Sequence, residues 1–213
     1  MLNRIFSVER TQKDFSKVVW FYDYWGKITE SKAISKAVSI SDISDNLNIL
    51  DVGIGTGQLF DKIIKENKTG LNFGIDLSPS MIEKARKKFK SLSVKHLLTL
   101  GNAFHLPYKN ESFDYIFSSY VLDLLPENSF EKILVEFSRV LKSNGRGILI
   151  TMSMGKKWYN RIWYLASKYF PSLLTNCRPI DLSDYIVSSG FSIEKTETIS
   201  QNTFPSEIIK FKK

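Results

Sequence analysis

The sequence predicts an α/β fold, in which a doubly wound and mostly parallel sheet of seven strands is covered by helices. Short β-branched segments alternate with longer amphipathic ones from about residue 47 onward. The apolar segment 147–152 shows no polar alternation, as expected for a strand that is buried on both faces. Parallel strands need a crossover connection, which is usually a helix and is right-handed, so strands that alternate with helices indicate a parallel sheet.

Each element follows from local pattern. The predicted strands are 48–52, 71–75, 94–98, 113–118, 147–152, 191–199 and 203–211. Two helices are predicted within 12–43 and one over 58–65. A further helix starts at Ser78 and Pro79. The apolar spacing over 130–141 predicts a helix that Asn144 and Gly145 end, and the last helix covers 181–189 and stops at Gly190. The chain has 213 residues, which suits one such domain and is short for two.

Composition excludes several classes of protein. A single cysteine, Cys177, rules out a disulfide framework and a cysteine-based zinc site, and two histidines cannot build a histidine cluster, so we expect no metal. The longest apolar run is far below the roughly 18 residues that a membrane span needs. The N-terminus lacks a long apolar signal region, so we expect a cytoplasmic protein. The net charge of +8 suits nucleic acid, an anionic membrane or plain solubility.

The most informative segment is a glycine-rich turn that follows the first predicted strand. Its glycines are Gly53, Gly55 and Gly57, and Asp51 precedes them by two residues. Glycines there allow a ligand to approach the backbone, and the following helix N-terminus favours negative groups. The dinucleotide fingerprint G-x-G-x-x-G needs a glycine at position 58, which is Gln58. The carboxylate of Asp51 suits a ligand that carries an ammonium group.

A second carboxylate, Asp76, ends the second predicted strand. In nucleoside-binding α/β folds an acidic residue at this place accepts hydrogen bonds from both ribose hydroxyls. The alternative is an acid that merely flanks the helix after Ser78. Together with the turn, Asp76 predicts a nucleoside cofactor.

In combination these segments resemble the class I S-adenosylmethionine-dependent methyltransferases, and the segment 177–182 (CRPIDL) resembles the quinone and phospholipid type within them. The resemblance covers about residues 47–152. Its motifs are 49–57 (ILDVGIGTG), 74–81 (GIDLSPSM), 101–107 (GNAFHLP), 113–116 (FDYI) and the turn 141–147 (LKSNGRG) before the fifth strand.

The resemblance implies a Rossmann-like fold, S-adenosyl-L-methionine as cofactor and methyl transfer as activity. It divides the single domain into an N-terminal helical cap (1–46), a cofactor-binding core (47–152), a substrate-lid insertion (153–180) and a C-terminal helix with two strands (181–213). The implied cofactor-binding residues are Asp51, Gly53, Gly55, Gly57, Asp76, Leu77, Met81, Asn102, Ala103, Phe104, Ser119 and Tyr22.

Two departures from the family pattern concern the site. Asn102 stands where the family often has aspartate, and its amide can still meet the adenine amino edge. Asp123 stands near a position where the family often has histidine. We therefore expect Asp123 or Tyr120 to act in catalysis if the acceptor must lose a proton. The alternatives are that Asp123 caps the helix near Pro126 and that the tyrosine packs in the core.

The acceptor is predicted from the segment 156–174, in which aromatic and basic residues alternate. Such a mixture suits a hydrophobic ligand or a membrane interface, with peripheral membrane contact, although a helix that buries its aromatic face in the core fits as well. The sequence therefore predicts a small-molecule or lipid-like acceptor. Rival hypotheses are an RNA methyltransferase, a non-catalytic cofactor-binding module and an NAD-dependent oxidoreductase. The segment 118–121 (SSYV) at the end of the fourth strand lacks the Asn-Pro-Pro-Tyr-type signature of enzymes that methylate amino groups on bases, which argues against nucleic acid.

Overall fold

The computed structural model describes residue 24, residues 26–169 and residues 177–213. Seven strands in this part form one sheet in the order β3-β2-β1-β4-β5-β7-β6. They are β1 Asn48–Val52, β2 Leu71–Asp76, β3 His96–Leu100, β4 Phe113–Ser119, β5 Leu141–Met152, β6 Ser192–Gln201 and β7 Phe204–Lys212. β7 runs antiparallel to both of its neighbours, and the other pairs are parallel. The predicted seven-stranded, mostly parallel sheet is confirmed.

Helices cover both faces of this sheet. They are α1 Ser31–Ser41, α2 Gln58–Glu66, α3 Pro79–Phe89, α4 Phe130–Val140, α5 Arg161–Tyr169 and α6 Ser183–Ser188. Successive side chains of β1 point to opposite faces, so Ile49 packs with α1 and α2, whereas Leu50 packs with α4 and α6. This arrangement is the doubly wound packing that the sequence predicts.

The strand order reverses between β1 and β4. β2 and β3 follow β1 on one side, and β4 and β5 lie on the other. In open α/β sheets the loops at the carboxyl ends of such strands separate and leave a crevice, which is where ligands bind. The chain therefore presents its glycine-rich turn, Asp76 and the end of β4 at one place.

The predicted end of α4 is wrong. The helix stops at Val140 and not at Asn144 and Gly145, because Leu141 is already extended (φ −73°, ψ 138°). Leu141 is fully buried and pairs with Phe113 before a bulge restores the register of β4 and β5. Tertiary pairing thus overrides the helical spacing that includes Leu141.

The predicted start of β5 is wrong as well, because the strand begins at Leu141 and not at residue 147, so the predicted turn 141–147 lies within the strand. The other predicted elements hold with shifts of one or two residues. β3 lies two residues later than predicted because it pairs with β2 from His96 onward, and its side chains at Leu97 and Leu100 are exposed. Of the two helices predicted within 12–43, the second corresponds to α1. Residues 24 and 26–29, which precede α1, are also helical, and residues 1–23 and 25 lie outside the described part.

Candidate active site

A cavity opens where the carboxyl ends of β1, β2 and β4 meet. Most of the predicted cofactor-binding residues line it, namely Gly53, Gly55, Asp76, Leu77, Met81, Asn102, Ala103, Phe104 and Ser119. Further lining residues, which the sequence did not single out for this role, are Val52, Ile75, Ser78, Gly101, Val121, Leu124 and Leu125. Asp51 and Gly57 lie beside the cavity and not on its wall, and Tyr22 lies outside the described residues.

The three glycines of the turn have different tasks, although each has a positive φ. A Cβ added to Gly53 would lie 2.1 Å from Cγ2 of Val121, and one added to Gly57 would lie 2.5 Å from the ring of Phe89. At Gly55 the nearest atom would be a backbone oxygen 4.0 Å away. Gly53 and Gly57 therefore permit close packing, whereas Gly55 leaves open space on the cavity wall for a ligand.

Asp76 connects two segments of the cavity wall. Its Oδ2 accepts a hydrogen bond of 2.8 Å from the backbone N–H of Gly55, and its Oδ1 accepts one of 2.8 Å from that of Ser78. Burial raises the pKa of this carboxyl, and the backbone N–H groups oppose that shift. The carboxylate is thus oriented in advance, with acceptor capacity left for a ligand.

Asp51 is the unusual group of the site. It is 1 % exposed, and within the described part of the chain neither of its carboxylate oxygens has a hydrogen-bond partner. Burial, and secondly the negative charge of Asp76, raise its pKa to about 8. A buried carboxylate without a partner is costly, and a cationic ligand group that donates hydrogen bonds removes that cost. The site therefore fits an ammonium-bearing ligand beside Asp51.

Asn102 shapes the loop after β3. Its Oδ1 accepts a hydrogen bond of 3.0 Å from the backbone N–H of Phe104, and its carbonyl accepts one of 3.1 Å from that of His105. These bonds form a tight turn that presents Asn102 and Phe104 to the cavity, while His105 is exposed. The loop supplies both an apolar ring and an amide at the wall.

Asp123 does not cap a helix near Pro126, because it lies within a 3₁₀ turn at Leu122–Leu124. It is fully buried, and its Oδ2 accepts a hydrogen bond of 3.0 Å from the backbone N–H of Met152. Its backbone carbonyl accepts one from the N–H of Arg178. Burial raises its pKa to about 7. Asp123 thus connects the end of β5 to the segment that precedes α6.

Tyr120 adopts a left-handed backbone conformation (φ 53°) at the end of β4. Its hydroxyl lies 2.6 Å from Oγ of Ser206, and burial raises its pKa far above 10. The ring belongs to the core beside Phe204. This geometry favours a role in positioning the cavity wall over proton transfer.

Sequence reasoning gave no role to Glu30, just before α1. Glu30 is buried, and burial together with the charge of Asp123 raises its pKa to about 8. Nothing in the local pattern signals this, because Glu30 becomes buried only when α1 packs on the sheet.

The family model described as "Methyltransferase domain" matches residues 49–145, which run from β1 into β5 and contain most of the cavity wall. The match covers just under half of the chain, which is similar to this family over that stretch. The match begins on the strand that carries Asp51.

Curated proteins and solved structures are similar to this chain as well. The demethylmenaquinone methyltransferase of Lactococcus lactis subsp. lactis (strain IL1403) is 34% identical over 151 residues, which are 68% of this chain and 59% of the relative. A methyltransferase of Thermotoga maritima shares the fold with a TM-score of 0.74 and 20% identity over 94% of this chain and 99% of the other. The structure of magnesium protoporphyrin IX methyltransferase of Synechocystis PCC 6803, with bound SAH, has a TM-score of 0.67 and 18% identity, and the match covers 99% of this chain and 89% of the other.

Proposed function

We propose that this chain transfers a methyl group from S-adenosyl-L-methionine to a small quinone-like acceptor. The chain spans 59% of the Lactococcus relative, so activity and acceptor are inferred from the site and not from that likeness alone. The single observation that carries the proposal is the buried carboxylate of Asp51, which has no hydrogen-bond partner among the described residues and lies beside a cavity that Asp76 and Gly55 line.

The residues present fit this cofactor. Asp51 would hold the ammonium group, Asp76 would accept hydrogen bonds from the ribose hydroxyls, and Leu77 and Met81 would contact the adenine. When bound, the cofactor supplies a methyl group on a sulfonium, whose thioether is a good leaving group. The presence of SAH in the Synechocystis relative supports the same chemistry here.

The protein's task in such a displacement is alignment and exclusion of water. Apolar side chains form one side of the cavity, contributed by Phe104, Val121, Leu124 and Leu125. They suit an acceptor with a flat, apolar ring, as the name of the Lactococcus relative suggests. We infer that the acceptor is small, apolar and of the quinone type.

We further infer that Asp123 and Tyr120 are positioning residues. Asp123 fixes the chain at Met152 and Arg178, and Tyr120 fixes the end of β4 through Ser206. A proton lost by the acceptor would then go to solvent. We also propose that the protein makes peripheral membrane contact. No helix in the described ranges is long and apolar enough to cross a bilayer.

The proposal is tested with purified protein and S-adenosylmethionine that carries a labelled methyl group. Acceptors are a reduced demethylmenaquinone with a short prenyl tail, a phospholipid, a small amine and a transfer RNA. We expect label in the quinol alone and a product heavier by one methylene. Label in the RNA or the amine would contradict the proposed acceptor, and label in none would contradict the activity.

A further inference from the structure

An apolar stripe runs along the outside of α5 and the 3₁₀ turn Trp158–Asn160 that precedes it. Trp158 is 84% exposed, Ile162 63%, Leu165 49% and Tyr169 65%. The spacing of four, three and four residues places these side chains on one face of a helix. We call this set the outer stripe.

The outer stripe is not the face by which α5 attaches to the protein. Trp163 and Ala166 contact the core from the opposite side, and Nε1 of Trp163 donates a hydrogen bond of 3.0 Å to Oγ1 of Thr203. The ring of Trp163 also lies 5.3 Å from that of Phe204. α5 contains no buried residue. Burial of the aromatic face in the core therefore holds for the inner face only. In the described part of the chain the outer stripe is exposed, and its ring contacts are local, between Trp158 and Tyr159 and between Lys168 and Tyr169.

A cationic stripe lies beside the outer stripe. Lys157, Arg161 and Lys168 are exposed, follow the same helical spacing and make no ion pair among the described residues. Lys156 differs from them because it lies near the carboxylate of Glu207. The sequence 153–180 contains five basic residues and no Asp or Glu. The surface is thus apolar and uniformly positive.

We propose that the outer stripe and the cationic stripe dock on an anionic lipid bilayer. The aromatic rings would lie at headgroup level and the cations near lipid phosphates. Charge selects this occupant over a second copy of the chain, because a two-fold contact would bring the same cations together. The inference rests on the proposed function, because α5 follows the carboxyl end of β5 and the cavity lies at the carboxyl ends of the neighbouring strands. Docking would place a membrane-dissolved acceptor near that edge.

The test is sedimentation of the full chain with vesicles of phosphatidylcholine alone or with about one third phosphatidylglycerol, at low and high salt. We expect binding to the anionic vesicles only, and loss of that binding at high salt. Each basic residue near such a surface strengthens partition roughly fivefold, so K157E/R161E/K168E should bind about a hundredfold more weakly. W158A should also bind more weakly.

The matched control reverses three exposed lysines at the opposite edge of the sheet, K68E/K90E/K95E. It has the same net charge as the test variant, and we expect it to keep most of the binding. Equal loss in both variants would show that net charge alone acts and would overturn the proposal. Absence of vesicle binding at low salt would also overturn the proposal. So would a stable dimer that persists in K157E/R161E/K168E and dissociates in W158A.

Methyl transfer to a short-tailed quinol without vesicles separates this inference from the proposed function. The variant K157E/R161E/K168E should keep that transfer, because none of its three positions lines the cavity. Transfer without vesicle binding by the unaltered chain refutes docking alone. Vesicle binding without transfer refutes the proposed function alone.

Discussion

Replacement of Asp51 by asparagine tests the electrostatics of the site. With a pKa of about 8, the carboxyl is protonated in roughly nine of ten molecules at pH 7 when no ligand is bound. Binding of an ammonium group requires the carboxylate. The unaltered chain should therefore release close to one proton from Asp51 as S-adenosylmethionine binds at pH 7.

The magnitude depends on pH in a defined way. A charge-assisted hydrogen bond contributes about 1.5–3 kcal/mol, so D51N should bind about ten- to a hundredfold more weakly at pH 8.5. At pH 6 the unaltered chain must first lose a proton at a cost of about 1.4 kcal/mol per pH unit below the pKa, or roughly 3 kcal/mol. The affinities of the two proteins should therefore converge at acidic pH.

Titration calorimetry in buffers of small and large ionisation enthalpy measures both quantities. The difference in released protons between the unaltered chain and D51N isolates Asp51 from titration of the ligand's own amine. Equal proton release and a pH-independent affinity ratio would refute the reasoning. Asp51 would then stay protonated in the complex and make no charged contact with the ligand.

The other expectations concern Asp76, the glycines and stability. D76A should lower cofactor affinity at least about tenfold by calorimetry. It should also lower the melting temperature, because it removes the acceptor for the N–H groups of Gly55 and Ser78. Unchanged affinity in the folded variant would mean that the ribose is held elsewhere. G55A should lose cofactor binding and keep a melting temperature within a few degrees of that of the unaltered chain. G53A should be destabilised by more than about 2 kcal/mol and partly rescued by V121A, because the added methyl group clashes with Cγ2 of Val121. Failure of the rescue would place the strain elsewhere. The pKa values of Glu30 and Asp51 are raised to about 8 and that of Asp123 to about 7, so the folded chain keeps protons that the unfolded chain loses above about pH 4.5. Stability without ligand should thus fall from pH 5 to pH 8.5 by calorimetry, and a rising melting temperature would contradict these shifts.

Much of the fold follows from local pattern because buried parallel strands have a strong signal. β1 begins and ends at the predicted residues, since its apolar run is bounded by the glycine-rich turn. The end of α4 does not follow, because Leu141 satisfies the helical spacing and the strand equally well. Pairing with Phe113 decides between them, and that contact is distant in sequence.

The candidate site was predictable where the motif fixes the backbone. Asp76 and Gly55 lie where strand ends and turn spacing place them. The surroundings of Asp123 were not predictable, because the N–H of Met152 and the buried carboxyl of Glu30 come from other elements. The two apolar faces of α5 were likewise ambiguous, since spacing shows that a stripe exists and not which stripe faces the core.

Binding of the cofactor itself tests the central claim most directly. Titration calorimetry should show one site per chain for S-adenosylmethionine with micromolar affinity, competition by S-adenosylhomocysteine and no heat with NAD. Three observations lead to this result: the glycine spacing, the carboxylate of Asp51 without a partner among the described residues, and the position of Asp76. Micromolar binding of NAD without binding of S-adenosylmethionine would contradict the account.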